Sequence, residues 1–162
     1  MRIIKSPQEI QTFLKEKKSP QTLPASWIIT PNFAWREFFV NVHDEPSLNV
    51  LLNIAYLANR LQVLRDTVFN RPVSITSGWR SPKRNATLIK MYDEMIEKGQ
   101  KPSFNRPAEN SFHLYGMAAD IVVRDVAPSA VQEVLKNWQG GLGKGHNFTH
   151  LDTRANRITF NY

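Results

Sequence analysis

The chain has no cysteine. That absence excludes a disulfide framework, a thiol nucleophile, an iron–sulfur cluster and any cysteine-held zinc finger, so a bound metal must be held by histidine and carboxylate. Histidine is itself scarce, with four in 162 residues. No long apolar run exists either. The richest stretch, 48–64, is broken by Asn53, Asn59, Arg60 and Gln62, which excludes a transmembrane helix there. The opening residues, Met1-Arg-Ile-Ile-Lys-Ser-Pro, contain no apolar h-region, so no secretory signal is expected; the chain is read as soluble and made in the cytoplasm, with its final location open. There is no internal repeat, and ten prolines with seven glycines signal turns rather than low complexity.

What is present is ordinary for a globular protein: 41% hydrophobic and 22% charged residues. A chain of this length can bury about 70% of its unfolded surface, enough for one core without cross-links. Lys and Arg number 21 against 14 Asp and Glu, a formal charge of +7. Residues 60–90 carry a net +6 and residues 91–120 a net −2. A basic face suits a polyanion such as nucleic acid or an anionic cell wall, but no run of consecutive Lys/Arg interleaved with aromatics points to nucleic acid.

The pattern predicts a short polar helix from Ser6 to Lys18, with Ser6 as cap and Pro7 at its first position, then a proline-rich connector from 19 to 31. The strongest helix spans Leu48 to Phe69, with a stripe through Leu48, Leu51, Leu52, Ala55, Ala58, Leu61, Leu64, Arg65 and Val68. Val73 to Ser77 alternates as a strand. Arg84 to Lys98 reads as a helix with Leu88, Met91, Tyr92 and Met95 inward, followed by an irregular loop from 100 to 110. Met117 to Val123 reads as a central strand covered on both faces, and Ser129 to Trp138 as a helix. The tail from 142 holds two or three short strands. Helices first and strands later predict an α+β fold, a small antiparallel sheet flanked by helices, with an arm at 1–29 and one domain over 30–162.

Three places bear chemistry. His113 stands three residues before Gly116, where a turn can fold the chain back. Asp120 lies in Met117-Ala-Ala-Asp-Ile-Val-Val, where a carboxylate is costly unless paired or bound to metal. His150 and Asp152, two apart on a strand, share a face. Together they fit a zinc site with three ligands, His113, Asp120 and His150, and a nearby base, Asp152 or His146. Arg80, in Ser77-Gly-Trp-Arg-Ser-Pro82, offers a planar fork to an oxyanion or a carboxylate, or else packs on Trp79. His43, in the acidic turn Val42-His-Asp-Glu-Pro46, reads as a surface residue.

Ser77-Gly-Trp-Arg80-Ser-Pro82 with Asn85, Ser111-x-His113-x-x-Gly116-x-Ala118-Ala119-Asp120, Gly140-Gly-x-Gly143 and Phe148-x-His150-x-Asp152 occur in an order that resembles the M15 family of zinc D-Ala-D-Ala carboxypeptidases. The nearest branch includes phage endolysins and small murein peptidases, and the resemblance covers about residues 30–160. It implies zinc on His113, Asp120 and His150, a transition-state arginine at Arg80, and Ser111 at the mouth of the site, with Trp79 and Asn85 also toward substrate. It implies peptidoglycan stems as substrate, cut next to a D-amino acid by a carboxypeptidase or an endopeptidase. No nucleic-acid or membrane partner is implied, and a monomer is expected. The chain departs from the family in two respects. The segment 86–110 is long, and the Glu that one branch carries three residues before the last ligand is here Asn147. Asp152 is therefore assigned as base and His150 as ligand, the alternatives being a swap of the two or His146 as base. A metal-bearing binding module without activity, as in the Hedgehog signalling domains that resemble this family, is the alternative function.

Overall fold

In the computed structural model, which describes residues 1–16 and 19–162, the chain begins with a small three-stranded sheet and a capped helix. Strand β1 (Ile3–Ile4) pairs in parallel with β2 (Trp27–Thr30), which pairs antiparallel with β3 (Phe33–Ala34). Helix α1 (Pro7–Lys15) starts on a capping box: the Ser6 hydroxyl accepts from the Glu9 amide and the Glu9 carboxylate accepts from the Ser6 amide, satisfying two orphan donors. Lys17 and Lys18, in the sequence reading of this helix, lie outside the described residues. Ile10, Leu14 and Leu23 enter the same buried cluster as Leu51, Leu57 and Leu142, and β2 crosses position 29/30. The segment read as an arm and connector is thus packed structure, its short strands too brief to show a period of two.

Helix α2 (Leu48–Leu64) is capped by Ser47 and continues into a π-helical turn, 65–69, that ends at left-handed Asn70. It buries Leu51, Ile54, Leu57, Ala58 and Leu61. The expected stripe is corrected in part: Leu52 is 44% exposed and Val68 45%. So many apolar residues surround this helix that spacing alone leaves its buried face ambiguous.

The main sheet has strand order β4-β5-β7-β6-β8, from β4 (Val73–Ser77), β5 (Ala118–Val123), β6 (Gly141–Lys144), β7 (Thr149–Asp152) and β8 (Ile158–Asn161). All pairs are antiparallel except β6–β8, which is parallel. Helix α4 (Pro128–Val134) packs on β5, β6 and β7, and the buried residues of α2 share one cluster with Ile121, Leu142 and Leu151 of the sheet, so the α+β expectation holds. One face of β5 buries Ala119, Ile121 and Val123 in the core. The other carries Asp120 and Val122 half-buried, which corrects the expectation of cover on both faces.

Helix α3 (Pro82–Glu97) also departs from expectation: Asn85 is its one buried residue and Met91 is 44% exposed. It packs on the loop that follows it instead of on the core. Tyr92 meets Phe104 edge-on at 5.9 Å, and the Arg106 fork donates to both Asp93 oxygens at 2.8 and 3.0 Å.

Candidate metal centre

Asp120 and His150 are direct cross-strand partners on β5 and β7, and Gly143 of β6 faces His150 from the other side. His113 arrives from a short 3-10 turn, Phe112–Tyr115, capped by the Ser111 hydroxyl and closed by Gly116 at φ +70°. A side chain at Gly116 would strike the Val50 carbonyl of α2 at 2.6 Å, so glycine serves both the turn and the close approach.

These elements bring three atoms together. His113 Nε2 lies 3.3 Å from Asp120 Oδ1 and 3.2 Å from His150 Nδ1, and His150 Nδ1 lies 2.9 Å from the same Asp120 oxygen. Each imidazole spends its other nitrogen elsewhere. His113 Nδ1–H donates to the Gly78 carbonyl at 2.6 Å, and His150 Nε2–H donates to Asp152 Oδ2 at 3.1 Å. With those protons placed, three acceptors face one another, and only a cation or a proton can sit among them. Ligands bound at 2.0–2.1 Å around tetrahedral zinc stand about 3.3 Å apart, close to the spacing here. The donor set of two oriented imidazoles and one carboxylate fits zinc.

The charges agree with that geometry. Burial opposes ionisation of Asp120, yet the two imidazoles hold its carboxyl well below the usual carboxylate range. Burial pushes His113 down, toward the neutral form that can bind a metal. Burial also opposes charge on His150, but the carboxylates on either side of the ring raise it.

Asp152 corrects the sequence reading. It is fully buried and does not line the cavity. Its carboxylate stands behind the His150 ring, accepts from the Gly141 amide at 2.9 Å, and is clasped by Arg154, whose Nε donates at 2.8 Å and Nη2 at 2.5 Å. A base must reach water on the metal side of the imidazole, and Asp152 faces the opposite nitrogen. It fixes the orientation of the His150 imidazole instead.

Arg80 lines the cavity, as do Ser111 and His146. Its Nη1 donates to Asn85 Oδ1 at 3.0 Å, and Asn85 in turn donates to the Ala108 carbonyl at 3.0 Å. Asn85 is buried and touches Arg80, so its expected substrate contact is replaced by the steering of that guanidinium. Trp79 is likewise corrected. It is buried in the core, edge-on to Phe39 at 6.0 Å, with Nε1–H donating to the Leu114 carbonyl at 3.0 Å. Arg80 therefore does not stack on a cavity-lining tryptophan. His43 is exposed, away from this centre, with Nδ1 3.5 Å from the Ser19 hydroxyl.

The cavity measures about 910 Å³. Leu88, Phe104 and Arg106, from α3 and the loop after it, line it together with Phe112, Phe148, Phe160 and Tyr162. Arg154 lies over the Phe112 ring at 4.2 Å. Arg154, Phe160 and Tyr162 were not singled out by sequence. Period two from His150 through Asp152 would have indicated Arg154. The other two depend on the parallel β6–β8 pairing, which leaves no local mark. Tyr162 is 48% exposed, and partial desolvation of its phenol, together with the Asp120 charge, pushes that group up.

No protein-family model matches the chain, and no curated protein matches it. No helix among the described residues is long and apolar enough to cross a membrane.

Proposed function

We propose that this protein is a zinc-dependent peptidase that hydrolyses peptide stems of peptidoglycan next to a D-amino acid. One observation carries the metal chemistry: three acceptors from His113, Asp120 and His150 converge at zinc-like spacing on a cavity wall, each imidazole oriented by a second acceptor. The motif resemblance supplies the substrate class. When bound, zinc supplies a Lewis acid for the scissile carbonyl and lowers the pKa of water to about 7.

The chain's own residues do the rest. Arg80, held at one corner by Asn85, has guanidinium N–H groups left for an oxygen that gains negative charge. His146, on the cavity wall, is the residue assigned to accept the proton of the attacking water, since Asp120 is the sole carboxylate among the described residues lining the cavity. The α3–loop wall, tied by Tyr92–Phe104 and Asp93–Arg106, shapes the space for the stem peptide.

The withdrawal of Asp152 behind His150 favours a second reading, a zinc-bearing binding module without turnover. Incubating the zinc-loaded protein with purified peptidoglycan and identifying released peptides by mass spectrometry separates the two. Release that disappears in His113→Ala supports the peptidase. A zinc-replete protein that releases nothing, yet retains the wall peptide, supports the binding module.

A further inference from the structure

Two of the side-chain hydrogen-bond donors that the fold leaves unused line the cavity together with the triad. One is the outer edge of the Arg80 guanidinium. The other is the Tyr162 hydroxyl, which makes no hydrogen bond among the described residues. Tyr162 is nonetheless firmly placed. Its amide continues the parallel β6–β8 pairing by donating to the Lys144 carbonyl at 3.2 Å. Its ring lies over Gly143, where a Cβ would come within 2.7 Å of ring Cε2. Three rings hold it: Phe148 at 5.1 Å, Phe160 at 5.5 Å and the ligand His150 at 5.9 Å between centroids. Tyr162 is 48% exposed as a residue and lines the same cavity as Arg80 and the triad.

We propose that the Tyr162 hydroxyl is a catalytic hydrogen-bond donor that, with Arg80, grips the oxygen that becomes negative when a peptide bond is attacked at the triad. The role rests on the peptidase reading above. Tyr162 gives no proton away; it donates one neutral hydrogen bond beside a charged one, inside a site walled by aromatic rings. A donor of this kind stabilises the tetrahedral state more than the planar substrate, because the charge it meets exists only in the former. Packing does not need the hydroxyl, since phenylalanine fills the same ring positions.

Tyr162→Phe is therefore the diagnostic change. Zinc-loaded wild type, Tyr162→Phe, Arg80→Ala and the double variant are compared in turnover of a soluble stem peptide. Calorimetry measures affinity for a phosphinate pseudopeptide, a tetrahedral anion, and for the cleaved product peptide. Tyr162→Phe is expected to keep its zinc content and melting temperature while losing about 10- to 100-fold in kcat and in phosphinate affinity. Product affinity should stay within about twofold, because the product lacks the tetrahedral charge. Unchanged kcat and phosphinate affinity would overturn the proposal. Equal losses for phosphinate and product would overturn it too, by showing ordinary ground-state binding. A wild type that cuts and binds while Tyr162→Phe matches it refutes this role alone. A wild type that neither cuts stems nor binds the phosphinate refutes the peptidase reading as well.

Discussion

His150 and Asp152 meet at 3.1 Å through the imidazole Nε2, which leaves Nδ1 as the nitrogen turned toward His113 and Asp120. The pair is an orienting device: the carboxylate decides which tautomer the imidazole adopts.

Asp152→Asn is expected to weaken zinc affinity by about 10- to 100-fold, as outer-shell partners of metal histidines do. Turnover should return toward wild type at saturating zinc, which a lost base would not allow. Stability should fall as well, by somewhat less than the roughly 3–5 kcal/mol of a fully buried broken pair, because the Arg154 side chain is 23% exposed. Metal titration with a competing chelator, followed by assay at excess zinc, checks this.

Elemental analysis should find about one zinc per chain, and much less in His113→Ala and His150→Ala. A wild type that is metal-free, folded and active, and unaffected by added zinc, would refute the centre.

Arg80→Ala should leave zinc in place and reduce turnover on the order of 10²- to 10³-fold. Asn85→Ala should lower turnover by a smaller factor, about tenfold, because the guanidinium remains but loses its anchor. Steady-state kinetics on one defined stem peptide tests both, and unchanged rates would reassign Arg80 to structure.

The zinc-free protein should show a steep acid limb. Asp120 and Asp152 have folded-state pKa values below the unfolded value near 3.9. Their contribution is thus complete above about pH 4 and is lost as pH falls through the folded values. Urea midpoints taken from pH 5 down to pH 2 should drop, and Asp152→Asn should flatten that drop. Parallel curves for the two proteins would count against the ion pair's contribution.

Arg106→Ala frees the loop from Asp93, and the expected result is an altered choice among stem peptides with zinc content unchanged. Product profiles on a mixture of stems report it. An identical profile would make the wall a passive feature.

The strands around the triad were largely legible in sequence: β4 by strict alternation, β5 by its apolar run, and β7 by His150 and Asp152 two apart around buried Leu151. The grouping of His113, Asp120 and His150 was foreshadowed because a carboxylate inside an apolar strand demands a counter-charge. What escaped detection depends on partners distant in sequence. Asp152 shares a strand face with His150, but which side of the ring it takes is settled by Gly141 and Arg154. Asn85 lies on a helix with little burial, so its contact with Arg80 had no periodic signal. Tyr162 enters the site through a parallel pairing formed after an intervening hairpin, and no local pattern encodes such a crossover.

Strand β6 contributes to the centre by what it omits. A Cβ at Gly141 would stand 2.2 Å from the Asp152 carboxylate, and one at Gly143 would stand 2.8 Å from the His150 Cβ and 2.7 Å from the Tyr162 ring. The strand is a mould whose hollows are cast for its neighbours' side chains. Grafting His113, Asp120 and His150 onto another sheet would therefore reproduce the ligands and not the site. The recipient would also have to carry two blank positions on an adjacent strand, which an inventory restricted to reactive groups never records.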